Sequence, residues 1–186
     1  MLNAKQDALC AQSEWDFSGL RALFINCTLK RSPAVSHTQG LADVALEILR
    51  KNRVQTDSVR LVDHTIAFGV YPDMTEHGWP KDEWPAIYPK VKAADILIIG
   101  APIWLGEKSS VCSMLIERLY AMSAQLNDKG QYAYYGKVGG CIITGNEDGV
   151  KHCSMNILSA YNTWATSSRR RPMPVGSARP GPGHRI

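Results

Sequence analysis

Short apolar runs, punctuated by glycine, proline and hydroxyl residues, divide this chain into alternating strand-like and helix-like segments. Ile96-Leu97-Ile98-Ile99 is an unbroken apolar run, the pattern of a strand buried on both faces of a parallel sheet, and Arg21 to Asn26 reads as the first strand. Ser58 to Val62 predicts a short strand and Val138 to Thr144 a further one. Elsewhere the spacing is helical. Leu41, Val44, Ala45, Ile48 and Leu49 share one face from Gln39 onward, and Val111, Met114, Leu115, Arg118, Leu119 and Met122 share another. A last helix is expected from Val150 to about Tyr161, and Asn127 to Gly130 reads as a turn. This alternation predicts an α/β fold, a doubly wound parallel sheet with right-handed crossovers.

One stretch resists that scheme. Asp63 to Pro89 is irregular, with Gly69, Pro72, Gly78, Pro80, Pro85 and Pro89 interleaved with Tyr71, Trp79, Trp84 and Tyr88. Loops of such length in a compact domain are uncommon. Two readings stand: a functional loop, or a packed surface loop laying an aromatic lid over the core. The chain divides into a polar leader (1–20), one domain (21–164) and an irregular basic tail (165–186).

A length of 186 residues with 45% hydrophobic and 20% charged positions fits one globular domain and excludes wholesale disorder. The net charge of +4 changes meaning once located: Arg169, Arg170, Arg171, Arg179 and Arg185 all follow Ser167, where there is no acid. The body is therefore close to neutral, and nothing in it calls for nucleic acid. No apolar run reaches membrane-span length, and Met1 to Leu20 lacks the apolar core of a signal peptide. The cysteines, Cys10, Cys27, Cys112, Cys141 and Cys153, are odd in number and contain no C-x-x-C pair, which points to free thiols in the cytoplasm and to no metal site.

Candidate chemistry gathers in three loops, each at the carboxyl end of a predicted strand, where open α/β sheets bind ligands. The first, Thr28 to Thr38, offers free backbone N–H groups and hydroxyls at the start of a helix, an anion site suited to a phosphate monoester. Ser36 or Thr38 acting only as a helix cap is the plainer alternative. The second, Gly100 to Gly106, would leave Ile103-Trp104-Leu105 apolar and exposed unless a flat ligand covers it or Trp104 folds back onto the domain. The third, Thr144 to Gly149, has two glycines for close backbone approach and Asn146 to donate and accept. Glu147 and Asp148 are adjacent in a turn and favour helix capping over acid–base work. Asp63-His64 and His152-Cys153 lack a third partner and read as structural. Together the loops fit one phosphate and one large flat ring, as in flavin mononucleotide (FMN).

INCTLK with the following S-x-T, then APIWLG-x-x-SSV and TGNEDG, resemble the flavodoxin-like NAD(P)H-dependent FMN reductase family in its single-domain bacterial branch. The resemblance runs from about Arg21 to Leu158. It implies strand order 2-1-3-4-5, FMN phosphate on Thr28, Lys30, Ser36 and Thr38, and the isoalloxazine against Pro102, Ile103, Trp104, Leu105 and Gly106 and against Thr144, Gly145, Asn146, Glu147, Asp148 and Gly149. His37 stands where similar sequences often have Asn. The implied activity passes electrons from NAD(P)H through FMN to a quinone, a flavin or another small acceptor, with no indispensable acid or base, in a homo-oligomer (dimer or tetramer). An electron-carrier flavodoxin, disfavoured by the near-neutral body, and a flavin-free interaction protein are the alternatives.

Similar sequences continue with a fifth strand and a final helix. Here the apolar pattern stops after Trp164. Back-translating Ala165 to Ile186 with G/C-biased codons and moving one base yields an apolar strand followed by a glycine-rich loop. The expectation is a reading frame that slipped near Leu158 to Ala160, leaving the fifth strand missing or altered.

Overall fold

A computed structural model describes residues 2–167; the side chains of 164–167 and the basic tail fall outside that description. The expectation of an altered ending falls on the undescribed tail.

Among the described residues, four parallel strands form the sheet. β1 (Arg21–Asn26) lies between β2 (Gln55–Arg60) and β3 (Ile96–Trp104), and β3 pairs on its other side with a strand near the end of the chain, β5 (Val138–Thr144). Numbering the parallel strands alone, the order is 2-1-3-4, as expected for a flavodoxin-like α/β sheet. The additional strand is short: β4 (Glu107–Lys108) folds back antiparallel on the end of β3.

β1 has five consecutive buried positions because both of its faces are covered. On one face, Leu23, Ile25, Leu97 and Ile99 pack with α3 (Trp84–Ala93), α4 (Ser110–Ala121) and α5 (Val150–Ser167). The opposite face presents Phe24, Ile98 and Ile142 to Ala42, Leu46 and Leu49 of α2 (His37–Lys51). Outside α2 lies α1 (Ala4–Ala11), begun by a reciprocal cap between Asn3 and Gln6 and tied to α2 by Lys51–Asp7 at 2.9 Å. The leader is thus partly helical, because its capping residues satisfy the first turn.

The stretch from Asp63 to Pro89 also corrects expectation. Trp84 is fully buried and Tyr88 nearly so, both on α3, so they belong to the core and not to a lid. Upstream, Phe68, Tyr71 and Trp79 remain exposed. The turns between are organised by Arg118 of α4, buried and paired with buried Asp82 at 2.7 Å. The same guanidinium donates to the carbonyls of Tyr71 (2.7 Å) and Pro72 (3.0 Å). Asp82 in turn accepts from the amides of Ala67, Met74 and Trp84.

Candidate functional site

Asn26 ends β1 with a buried side chain that sets the turn after it. Its Oδ1 accepts from the Thr28 amide at 3.0 Å, and its Nδ2 donates to Gln39 Oε1 (3.0 Å) and Ser36 Oγ (3.3 Å). Ser36 caps α2, accepting from the Gln39 amide at 3.2 Å. The loop is anchored from outside by the end of β2. Arg60 donates to the Ala34 carbonyl (2.8 Å), while Asp63 accepts from the Ser32 amide (2.8 Å) and hydroxyl (2.6 Å). Those two bonds hold the Asp63 carboxyl below the usual carboxylate range. Ser109 caps α4 and donates to the Cys27 carbonyl at 2.7 Å, fixing the loop from beneath.

Beside this loop, β3 continues farther than its apolar run. Gly100 lies inside the strand, where a Cβ would stand 2.5 Å from the Phe24 ring and 2.9 Å from Thr38 Cγ2. The missing side chain lets the start of α2 approach the sheet. The strand ends in a tight hairpin: Trp104 pairs with Glu107 across Leu105 and Gly106, both with positive φ (52° and 75°). Ile103 is buried, correcting the expectation that it would be exposed, while Trp104 is about half exposed and Leu105 almost wholly so.

The third loop closes the site. Thr144 at the end of β5 shares a 2.7 Å hydroxyl–hydroxyl bond with Thr38, joining the first loop to the third. A Cβ on Gly149 would stand 2.7 Å from the Gly106 carbonyl, so the second and third loops touch through backbone. Glu107 meets His152 across the same junction, and Asp148 accepts from the neighbouring Gly149 amide at 2.7 Å just before α5.

The result is a cleft of about 430 Å³ lined by Thr28, Lys30, Ser36, His37 and Thr38, by Pro102, Ile103 and Trp104, and by Thr144, Gly145 and Asn146. Leu105, Gly106, Glu147, Asp148 and Gly149 do not line it; they stand along or behind its rim. Asn26, Arg60, Asp63 and Ser109, which shape it, were not singled out from the sequence as site residues. One signal was available for Asn26: a polar side chain closing an apolar strand. The thiols flanking the site, Cys27 and Cys153, are raised chiefly by burial and stay protonated at neutral pH.

A hydroxyl-lined helix start and a half-exposed indole thus border one cleft. Residues 20–172 match the family of NADPH-dependent FMN reductases. The chain belongs to that family. A relative, the 8-demethyl-8-aminoriboflavin-5′-phosphate synthase of Streptomyces davaonensis, is 35% identical over 172 residues, covering 89% of this chain and 67% of that protein. The crystal structure of RosB with bound 8-demethyl-8-formylriboflavin-5′-phosphate superposes with a TM-score of 0.70 at 38% identity, covering 78% of this chain and 60% of that one. FerB of Paracoccus denitrificans, an NAD(P)H:acceptor oxidoreductase, shares the fold alone (TM-score 0.54, 11% identity).

A further relative is the divalent metal cation transporter MntH of Mycobacterium bovis, 58% identical over 172 residues. The match covers 90% of this chain but only 25% of that protein, so the chain spans about a quarter of its length. Among the described residues, no helix is long and apolar enough to cross a membrane, and no group of three or more metal-ligating side chains converges.

Proposed function

We propose that the cleft binds FMN and that the chain passes electrons from NAD(P)H to a quinone, a flavin or another small acceptor. The observation that carries this reading is the meeting of three loops in one cleft, an anion cradle on one side and an apolar platform on the other. Free amides at the start of α2, the hydroxyls of Thr28, Ser36 and Thr38, and Lys30 would hold the phosphate, with His37 contributing its backbone. Pro102 and Trp104 would support one part of the ring, with Leu105 and Gly106 at its margin, and Thr144 to Gly149 would border its edge. The fit is chemical as well as spatial, because donors cluster where charge would lie and apolar surface where a ring would.

Bound flavin supplies the hydride and electron chemistry. The protein's share is to bind and orient, and to keep water from the covered ring face. Backbone amides of Gly145 and Asn146, which line the cleft, would face the ring edge where negative charge accumulates on reduction.

A second reading rests on the relatives at 35% and 38% identity, one a synthase named for a flavin phosphate product and the other holding a flavin phosphate intermediate. Under it, the same cleft holds a flavin phosphate that is itself changed.

Titrating the protein with FMN and then adding NADPH under anaerobic conditions separates the readings. Bleaching of the bound-flavin absorption, restored by a quinone, supports the reductase. A flavin retained but unreduced defeats it. Replacing Trp104 by Ala removes an aromatic platform contributing about 0.5–1.5 kcal/mol beyond its area, so FMN affinity is expected to fall by roughly three- to tenfold or more. Unchanged affinity would remove Trp104 from the site.

A further inference from the structure

Ser36 is a hydroxyl with one proton to donate and two acceptor positions. Both acceptor positions are used. The Gln39 amide donates to Oγ at 3.2 Å and Asn26 Nδ2 at 3.3 Å. The orientation of the Asn26 amide follows from its other partner, since only its oxygen can accept the Thr28 N–H at 3.0 Å. Gln39 Oε1 fixes the other side, accepting from the same Nδ2. Ser36 is 7% exposed and lines the cleft, and Asn26 is wholly buried. With its lone pairs taken, the Ser36 O–H retains its proton for an acceptor in the cleft.

We infer that Asn26 is a specificity-determining positioning residue: it commits the Ser36 hydroxyl to donating into the cleft, which makes the site select a phosphorylated ligand over its dephosphorylated counterpart. This rests on the flavin-phosphate reading above and deepens it. A cap serine without a second donor behind it can turn its proton either way and welcomes water or a hydroxyl as readily as an oxyanion. Asn26 removes that freedom without touching the ligand.

The test compares FMN with riboflavin, using flavin fluorescence to read Kd for each. The wild-type protein is expected to prefer FMN strongly. In Asn26→Asp the new carboxylate only accepts, so Ser36 turns its proton inward and the FMN-to-riboflavin preference falls by on the order of tenfold or more, the scale of a lost charge-assisted bond. Riboflavin affinity should move by less than about threefold, within the spread of a group that never meets the ring. Ser36→Ala should produce the same loss of preference, and adding Asn26→Asp to it should cost little more. A preference unchanged in Asn26→Asp overturns the inference. So does an Asn26→Asp effect that persists in full without the Ser36 hydroxyl, which would mark plain charge repulsion. If Asn26→Asp fails to fold, Asn26→Ser, able to accept from Thr28 but too short for Ser36, is judged by the same ratio. A wild-type protein with no preference for FMN sinks the cofactor reading itself; a preference that survives both Asn26 variants sinks only the role given to Asn26.

Discussion

Arg118 sits among leucines and methionines on the core face of α4, a place where a charge survives only if paired. Its partner Asp82 is equally buried, and between them they collect the loose turns of the 64–83 segment. Asp82→Ala leaves a buried guanidinium uncompensated, and urea unfolding should show a loss of about 3–5 kcal/mol. A paired Asp82→Leu, Arg118→Met variant should lose less, because no orphaned charge remains. The helical spacing placed Arg118 on the inner face, but its partner lies 36 residues away, beyond the reach of any local pattern. Asp63 offers a gentler test. Its folded-state pKa lies below the ordinary value, so its bonds to Ser32 add stability above about pH 4 and lose it as pH falls through the lowered pKa. Melting Asp63→Asn beside wild type should show a gap at neutral pH that closes on acidification.

The elements show why the boundaries of β3 were harder to read than its existence. Gly100 and Pro102 look like breakers, yet the strand runs through both to Trp104. Gly100 is there for a neighbour, as Phe24 and Thr38 fill the space a side chain would need. Gly100→Ala is expected to cost about 1–3 kcal/mol by overpacking and to weaken FMN binding in the same protein, because the displaced residue is the α2 start. Thermal melting and flavin titration on one sample check both. The ligand loops were legible for a simple reason: each follows a strand whose apolar run is plain, and the parallel order brings strand ends to one rim. Their supporting contacts, Arg60 to Ala34 and Ser109 to Cys27, join segments far apart in sequence and left no local trace.

At the scale of the whole molecule, the two faces of the sheet are unequal. Three helices cover one, while α2 alone among the described residues packs on the other, where Ile98 and Ile142 stay partly exposed. β5 is bonded to β3 along one side, and its first residues, Val138 and Gly139, are exposed. No charge or proline interrupts Val138 to Thr144, so the strand itself lacks two of the usual guards against edge-to-edge pairing. Val138→Lys is expected to reduce concentration-dependent self-association, read by light scattering, without altering flavin affinity.

The hairpin tip at Leu105 carries a branched aliphatic group in a left-handed backbone turn, where asparagine or glycine would rest more easily. Water surrounds that group on nearly every side, so folding recovers little of the conformational penalty. A guest that settles over the tip would recover it, and the hairpin would then behave as a sprung latch whose stiffening reports occupancy. Amide hydrogen exchange at Gly106 and Glu107 is therefore the place to watch the cleft fill.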